Sequence, residues 1–136
     1  MVKTHMRGRS VLALESTCLD PALYKVAETG ADVRLLGTGR KLNEMAPAML
    51  NGKAETTLLD VPDALIALEK WPGEIKVIGP VSGVQDMAVA FSPDAPTLRE
   101  AFNAWFTEFK KDGKYIDLVE KYYPAVFLYF PEFFAG

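Results

Sequence analysis

Histidine and cysteine are almost absent from this chain, and their scarcity removes whole branches of chemistry. Cys18 is the only cysteine, which excludes an intrachain disulfide and any multi-cysteine zinc site while leaving the redox compartment open. His5 is the only histidine. A Ser-His-Asp or Cys-His arrangement would depend on that residue close to the chain start, and a two-histidine metal site cannot be built. No apolar run approaches the roughly 20 residues of a membrane span, and the opening residues Met1 to Ser10 are too polar to hold the apolar stretch of a signal peptide. If the natural protein is exported, the chain is expected to be a mature or truncated form. An excess of positive charge is missing as well: 15 Lys+Arg stand against 18 Asp+Glu, a net −3. No overall basic field exists to hold nucleic acid or an anionic membrane, so a nucleic-acid partner is not expected.

What is present is globular in character. The 136 residues, 49% hydrophobic and 24% charged, suffice for a compact fold with a substantial core. Residues 11–14 form a short apolar run that ends in Glu15-Ser16-Thr17. Asp20-Pro21 then supplies an N-cap followed by proline at the first helical position, which predicts strand, loop and helix, the helix spanning 21–29 with Leu23, Val26 and Ala27 inward and Gly30 as its left-handed stop. A second strand is expected over 31–36, broken by Gly37-Thr38-Gly39. Asn43 is the expected cap of a helix that tolerates Pro47 near its first turn and ends at Asn51-Gly52. A third strand over 54–59 delivers Asp60, Val61-Pro62-Asp63 opens a helix carrying Leu65, Leu68 and Trp71, and a fourth strand follows over 74–78. Strands and helices alternating with short loops argue for an α/β fold with a mainly parallel sheet.

The second part reads differently. Met87-Ala88-Val89-Ala90-Phe91 is an apolar strand candidate, and 97–111 is an amphipathic helix whose Phe102, Trp105, Phe106 and Phe109 recur at helical spacing. Asp112-Gly113 stops it, a shorter helix follows over 115–123, and 124–136 is rich in aromatics. Phe102, Trp105, Phe106, Phe109, Phe127, Tyr129, Phe130, Phe133 and Phe134 together offer more apolar surface than a four-stranded lobe covers, so a homodimer or segment-swapped assembly is expected.

In parallel sheets, ligands bind outside the carboxyl ends of the strands. Three segments fall there: Glu15-Ser16-Thr17, Gly37-Thr38-Gly39-Arg40 and Asp60. The first offers hydroxyls and backbone N–H groups before a helix start, suited to a carboxylate or other anion; Asp60 offers a fixed negative charge suited to an ammonium group. Arg40 is the one cation near this crevice. Each has a plain structural reading beside the functional one. Ser16 and Thr17 are common loop formers, Asp60 is placed to cap the next helix, the Gly37-Thr38-Gly39 loop lacks the spacing of a phosphate loop, Arg40 suits a solvated surface, and Cys18 suits a small packed position.

The order of segments resembles the second half of a bacterial extracellular solute-binding protein of family 3, the periplasmic component of amino-acid-type ABC transporters. The resemblance runs from about Arg7 to Pro124 and is most specific in Leu98-Arg99-Glu100-Ala101-Phe102-Asn103, Phe109-Lys110-Lys111-Asp112-Gly113-Lys114-Tyr115 and Lys121-Tyr122-Tyr123, which look like the family's closing signature. Gly8-Arg9-Ser10-Val11 is similar to the start of the second lobe, and Leu50-Asn51-Gly52-Lys53-Ala54-Glu55 to the family's Leu-x-x-Gly-x-Val-Asp-Ala step. The resemblance implies a periplasmic-binding-protein type II-like lobe over residues 7–81, followed by a returning strand and C-terminal helices over 82–136 that would pack on an absent first lobe. It implies that Asp60 grips a ligand's α-amino group and that Ser16 and Thr17 face its carboxylate; Glu15 stands where the family often has glycine.

The function so implied is a solute-binding component of an ABC-type transporter for a small amino-acid-like ligand, periplasmic or extracellular in its parent, served by a membrane permease. It would need no cofactor or metal and would act by closure over ligand, without enzymatic chemistry. The alternative is the same fold as a ligand-sensing or localising module of a receptor, a histidine kinase or a peptidoglycan-acting enzyme, since such modules occur attached to those proteins. A dehydratase-like activity resting on Glu15 or Asp60 is the enzymatic possibility within the superfamily.

Overall fold

The computed structural model describes residues 2–131. The chain divides into two compact units, Met1–Gly83 and Val84–Gly136. The first unit is an α/β lobe. Its strands are β1 (Ser10–Ala13), β2 (Asp32–Leu35) and β3 (Thr56–Thr57), in the order β2-β1-β3 and parallel throughout. β1 is central and all four of its residues are buried. That burial explains why Ser-Val-Leu-Ala carries no alternation of polar and apolar positions: a strand covered on both faces reads as a continuous apolar run. Register is set by Val11 opposite Val33 on one side and Thr56 on the other. Around β1 the core gathers Leu14, Leu19, Val26, Met45 and Leu58, and burying a side chain such as Leu12 stabilises the fold by about 2 kcal/mol.

Two helices belong to this lobe, α1 (Met45–Leu50) and α2 (Val61–Lys70). α2 starts where the sequence predicts, with Pro62 in its first turn, and buries Leu65, Ala67 and Leu68. Pro47 is the third residue of α1, where its missing N–H interrupts no intrahelical bond. The cap of this segment is Lys41 and not Asn43, which lies inside the 3-10 turn Leu42–Glu44; the Glu44 carboxylate accepts the Lys41 N–H at 2.6 Å.

The helix expected over 21–29 does not form. Asp20 Oδ1 accepts the Ala22 N–H at 2.9 Å, as an N-cap does, but only a turn follows, because Lys25 takes a left-handed φ of 53° that no α-helix accommodates. Only the 3-10 turn Ala27–Thr29 is helical, Leu23 is 66% exposed instead of inward, and Gly30 closes the segment at φ 79° as expected. The fourth strand over 74–78 and the strand over 87–91 are also missing, the chain there being irregular. A strand needs a ladder partner. β3, at two residues, offers a fourth strand little backbone to pair with, and the second unit contains no strand among the described residues.

The second unit is helical: α3 (Pro96–Lys111), α4 (Lys114–Tyr122) and α5 (Val126–Tyr129). Gly113, at φ 76°, makes the left-handed turn between α3 and α4. The aromatic face predicted for α3 is real. Trp105 stacks on Phe109 with centroids 4.8 Å apart, Phe91 meets Phe102 at 5.4 Å, and Tyr115 from α4 meets the Phe106 ring edge-on at 5.5 Å. These contacts cover the face only partly: no residue of α3 or α4 is buried, and Trp105 stays 54% exposed. Phe133 and Phe134 of the expected surface lie outside the described residues.

Candidate functional site

The carboxyl ends of β1 and β3 are neighbours, so the loops that leave them meet. Leu14 ends β1's apolar run and is buried, as is Leu19, which folds the intervening loop back onto the core. Within the loop the Thr17 hydroxyl donates to the Leu14 carbonyl at 2.7 Å and accepts the Leu19 N–H at 3.0 Å. Asp20 Oδ2 accepts the Ser16 N–H at 2.9 Å, and this bond together with the Ala22 N–H holds the Asp20 carboxyl below the usual carboxylate range. Ser16 itself is exposed and sits at φ 59°.

On the other side, β3 is fastened to β1 by threonine. Thr56 Oγ1 donates to the Ser10 carbonyl at 2.9 Å, and the Leu58 N–H donates to the Leu12 carbonyl at 3.1 Å. The chain then turns into α2 with Asp60 at the N-cap position. Its carboxylate makes no capping bond. Instead Asp60 Oδ2 accepts a hydrogen bond from the Cys18 thiol at 3.1 Å, across the two loops. Cys18, expected as a small packed residue, is exposed, and Tyr24 Oη donates to its carbonyl at 2.6 Å. Partial shielding of the sulfur by its surroundings, followed by the bond to Asp60 and that carboxylate's charge, pushes the thiol up to about 11. Cys18 is therefore a neutral donor at physiological pH.

One turn further along α2, Asp63 lines a narrow cleft of about 40 Å³ with Leu42, Leu59, Ile66 and Trp71 among its walls. Burial, and then the charge of Asp60, raise the Asp63 carboxyl above its ordinary value. The chemistry concentrated here is that of two carboxylates and a thiol donor, an arrangement that attracts a cation more readily than an anion.

The structure thus treats the five sequence candidates unequally. Asp60 is brought to the β1 loop, one residue of which, Cys18, touches it. Thr17 lies next to Cys18, with its hydroxyl already engaged in the loop's own bonds. Ser16 and Glu15 are exposed at the loop's outer turn. Arg40 follows β2, on the opposite flank of β1 from β3, and its guanidinium donates to Glu44 Oε1 at 2.9 Å. The anion seat predicted at Glu15-Ser16-Thr17 rested on a helix start that is absent, and Asp20 from the chain itself takes up the Ser16 N–H. Two residues were not foreseen as part of this site. Asp63 is signalled only by its three-residue spacing from Asp60 on a helix; Cys18 carries no pattern beyond its place beside Thr17. Among the described residues no cluster of three or more acidic, histidine or cysteine side chains could hold a metal ion.

No family model matches the chain, and no solved structure does. The resemblance to solute-binding proteins therefore rests on the segments quoted above. A curated protein does match: the membrane-bound lytic murein transglycosylase F of Desulfosudis oleivorans is 26% identical over 122 residues, which covers 89% of this chain and 27% of that protein. The chain thus spans about a quarter of its relative's length. This relative is an enzyme, and that overturns the expectation of a protein outside the enzyme class. Nor does the match lend support to ABC transport or amino-acid transport. The relative is membrane-bound by name, and among the described residues no helix is long and apolar enough to cross a membrane.

Proposed function

We propose that the chain is a ligand-binding module of a larger murein-acting enzyme, contributing recognition of an amino-bearing ligand at the β1–β3 end of its lobe. The observation that carries this reading is the alignment of 89% of the chain with a quarter-length stretch of a lytic murein transglycosylase. It favours the module of a peptidoglycan-acting enzyme over the transport component. The site chemistry agrees with such a role. Asp60 is not spent on capping α2, and a carboxylate presented beside a neutral thiol donor can exchange that donor for an ammonium group. A charge-assisted hydrogen bond of this kind contributes about 2 kcal/mol, so losing it weakens binding roughly thirtyfold.

The test is co-sedimentation of the chain with purified murein sacculi, beside calorimetry with soluble amino-bearing murein fragments. Binding that Asp60→Ala weakens roughly thirtyfold, and that acetylation of the sacculus amino groups removes, is the expected result. A chain that stays in the supernatant with native sacculi, and gives no heat with the fragments, defeats the proposal.

A further inference from the structure

A second feature lies at the opposite end of the strands. Arg7 and Gly30 precede β1 and β2, so they stand at the amino ends of parallel strands whose carboxyl ends carry the site already described. There Lys3, Arg7, Lys25, Glu28 and Gly30 line an open concavity of about 520 Å³. Three cations face one carboxylate in a chain whose overall charge is −3. Among the described residues none of the three cations is in an ion pair.

The concavity is built, not accidental. Met6, 4% exposed, pins the 3-10 turn Val2–Met6 to the core, and the Gly8 N–H donates to the Gly30 carbonyl at 2.9 Å. Gly30 holds φ 79°, and the Arg7 stem runs beside it, its Cγ 3.4 Å from where a Cβ would stand, an ordinary contact distance. Lys25 is presented from a left-handed φ of 53°, a conformation that costs a lysine free energy and fixes where its side chain leaves the chain. Like charges at one concavity repel each other, and an anion relieves that repulsion.

We infer that this concavity is a binding site for a phosphate group, carried either by a lipid headgroup or by a soluble phosphorylated molecule. Three cations less one carboxylate match a doubly charged phosphate better than a single carboxylate. Arg7 brings the planar fork suited to two phosphate oxygens, while Lys3 and Lys25 act as point charges. The volume exceeds what a bare phosphate ion fills, leaving room for the group that bears it.

Two probes separate the sources. Amide resonances of the full chain are followed on titration with inorganic phosphate, and co-sedimentation is measured with vesicles of phosphatidylglycerol in phosphatidylcholine against phosphatidylcholine alone. Shifts confined to residues 3–8 and 25–30 without vesicle binding identify a soluble phosphorylated ligand. Vesicle binding that requires phosphatidylglycerol, with or without a phosphate response, identifies a lipid headgroup. In either case each cation removed should weaken binding roughly fivefold, so the double variant Lys3→Gln, Lys25→Gln loses about 25-fold. Glu28→Gln, which removes the opposing charge, should tighten it by several-fold, a gain that damage to the fold would not produce. No response to either probe, an unchanged affinity in the double variant, or a Glu28→Gln variant that binds no tighter overturns the proposal.

Discussion

The Cys18 thiol donates to Asp60 Oδ2 at 3.1 Å, and this contact joins the loop that leaves β1 to the residue that opens α2. Shielding of the sulfur, and then this contact, leave the thiol chemically quiet. With the thiol pushed up to about 11, roughly one molecule in a thousand carries the thiolate at pH 8, and the thiolate is the species that alkylates. Cys18 should therefore react slowly with iodoacetamide for an exposed cysteine. Asp60→Asn removes the carboxylate's charge but leaves the shielding, so the rate at pH 8 should rise by up to about tenfold, and the pH–rate profile should move to lower pH. An identical profile in the variant would separate the two residues.

Asp63 gives a pH dependence of stability with a definite sign. Its carboxyl is raised by burial and by the Asp60 charge, so the folded chain keeps this proton to higher pH than the unfolded chain does. Stability is therefore lost as pH rises from the unfolded value through the raised folded one. Asp63→Asn cannot ionise and should be the more stable protein at neutral pH, by less than about 1 kcal/mol because solvent screens a partly exposed group. Thermal melts at about pH 3 and about pH 7 check this: the advantage should be present at the second and absent at the first.

Thr17 and Ser16 should respond in opposite directions although they are adjacent. Thr17→Val deletes the bond to the Leu14 carbonyl and the acceptor for the Leu19 N–H, so it should cost about 1–2 kcal/mol in denaturant unfolding. Thr17→Ser keeps both and should cost much less. Ser16→Gly relieves a left-handed φ of 59° and should stabilise by about 1 kcal/mol.

Much of the lobe was legible because local chemistry and tertiary packing agree there. Val11-Leu12-Ala13 reads as a strand and is one, and Val61-Pro62-Asp63 announces α2 with its proline in the first turn. Reading failed where one residue redirected the backbone. Asp20-Pro21 has the residues of a helix start, and Asp20 accepts the Ala22 N–H as a cap does, but Lys25 at φ 53° ends the segment before a helix can propagate. It failed again where a segment's fate depends on a partner: Ile75, Val77, Met87 and Val89 have strand composition, but composition does not supply a neighbouring ladder. Of the site, Asp60 was found by its place at a strand end. Cys18 was not, because its contact spans 42 residues of sequence and is fixed only by the β1–β3 pairing.

That pairing leaves the three-stranded sheet with two flanks, and each is defended differently. Along β2 the exposed Asp32 and Arg34 form a salt bridge of 3.0 Å, and Arg34 Nη1 also donates to the Lys53 carbonyl, so an intruding strand would have to strip water from both charges. Along β3 there are only two residues to template on. Neither flank offers the long, flat, uncharged ribbon from which fibrils grow by stacking chain on chain.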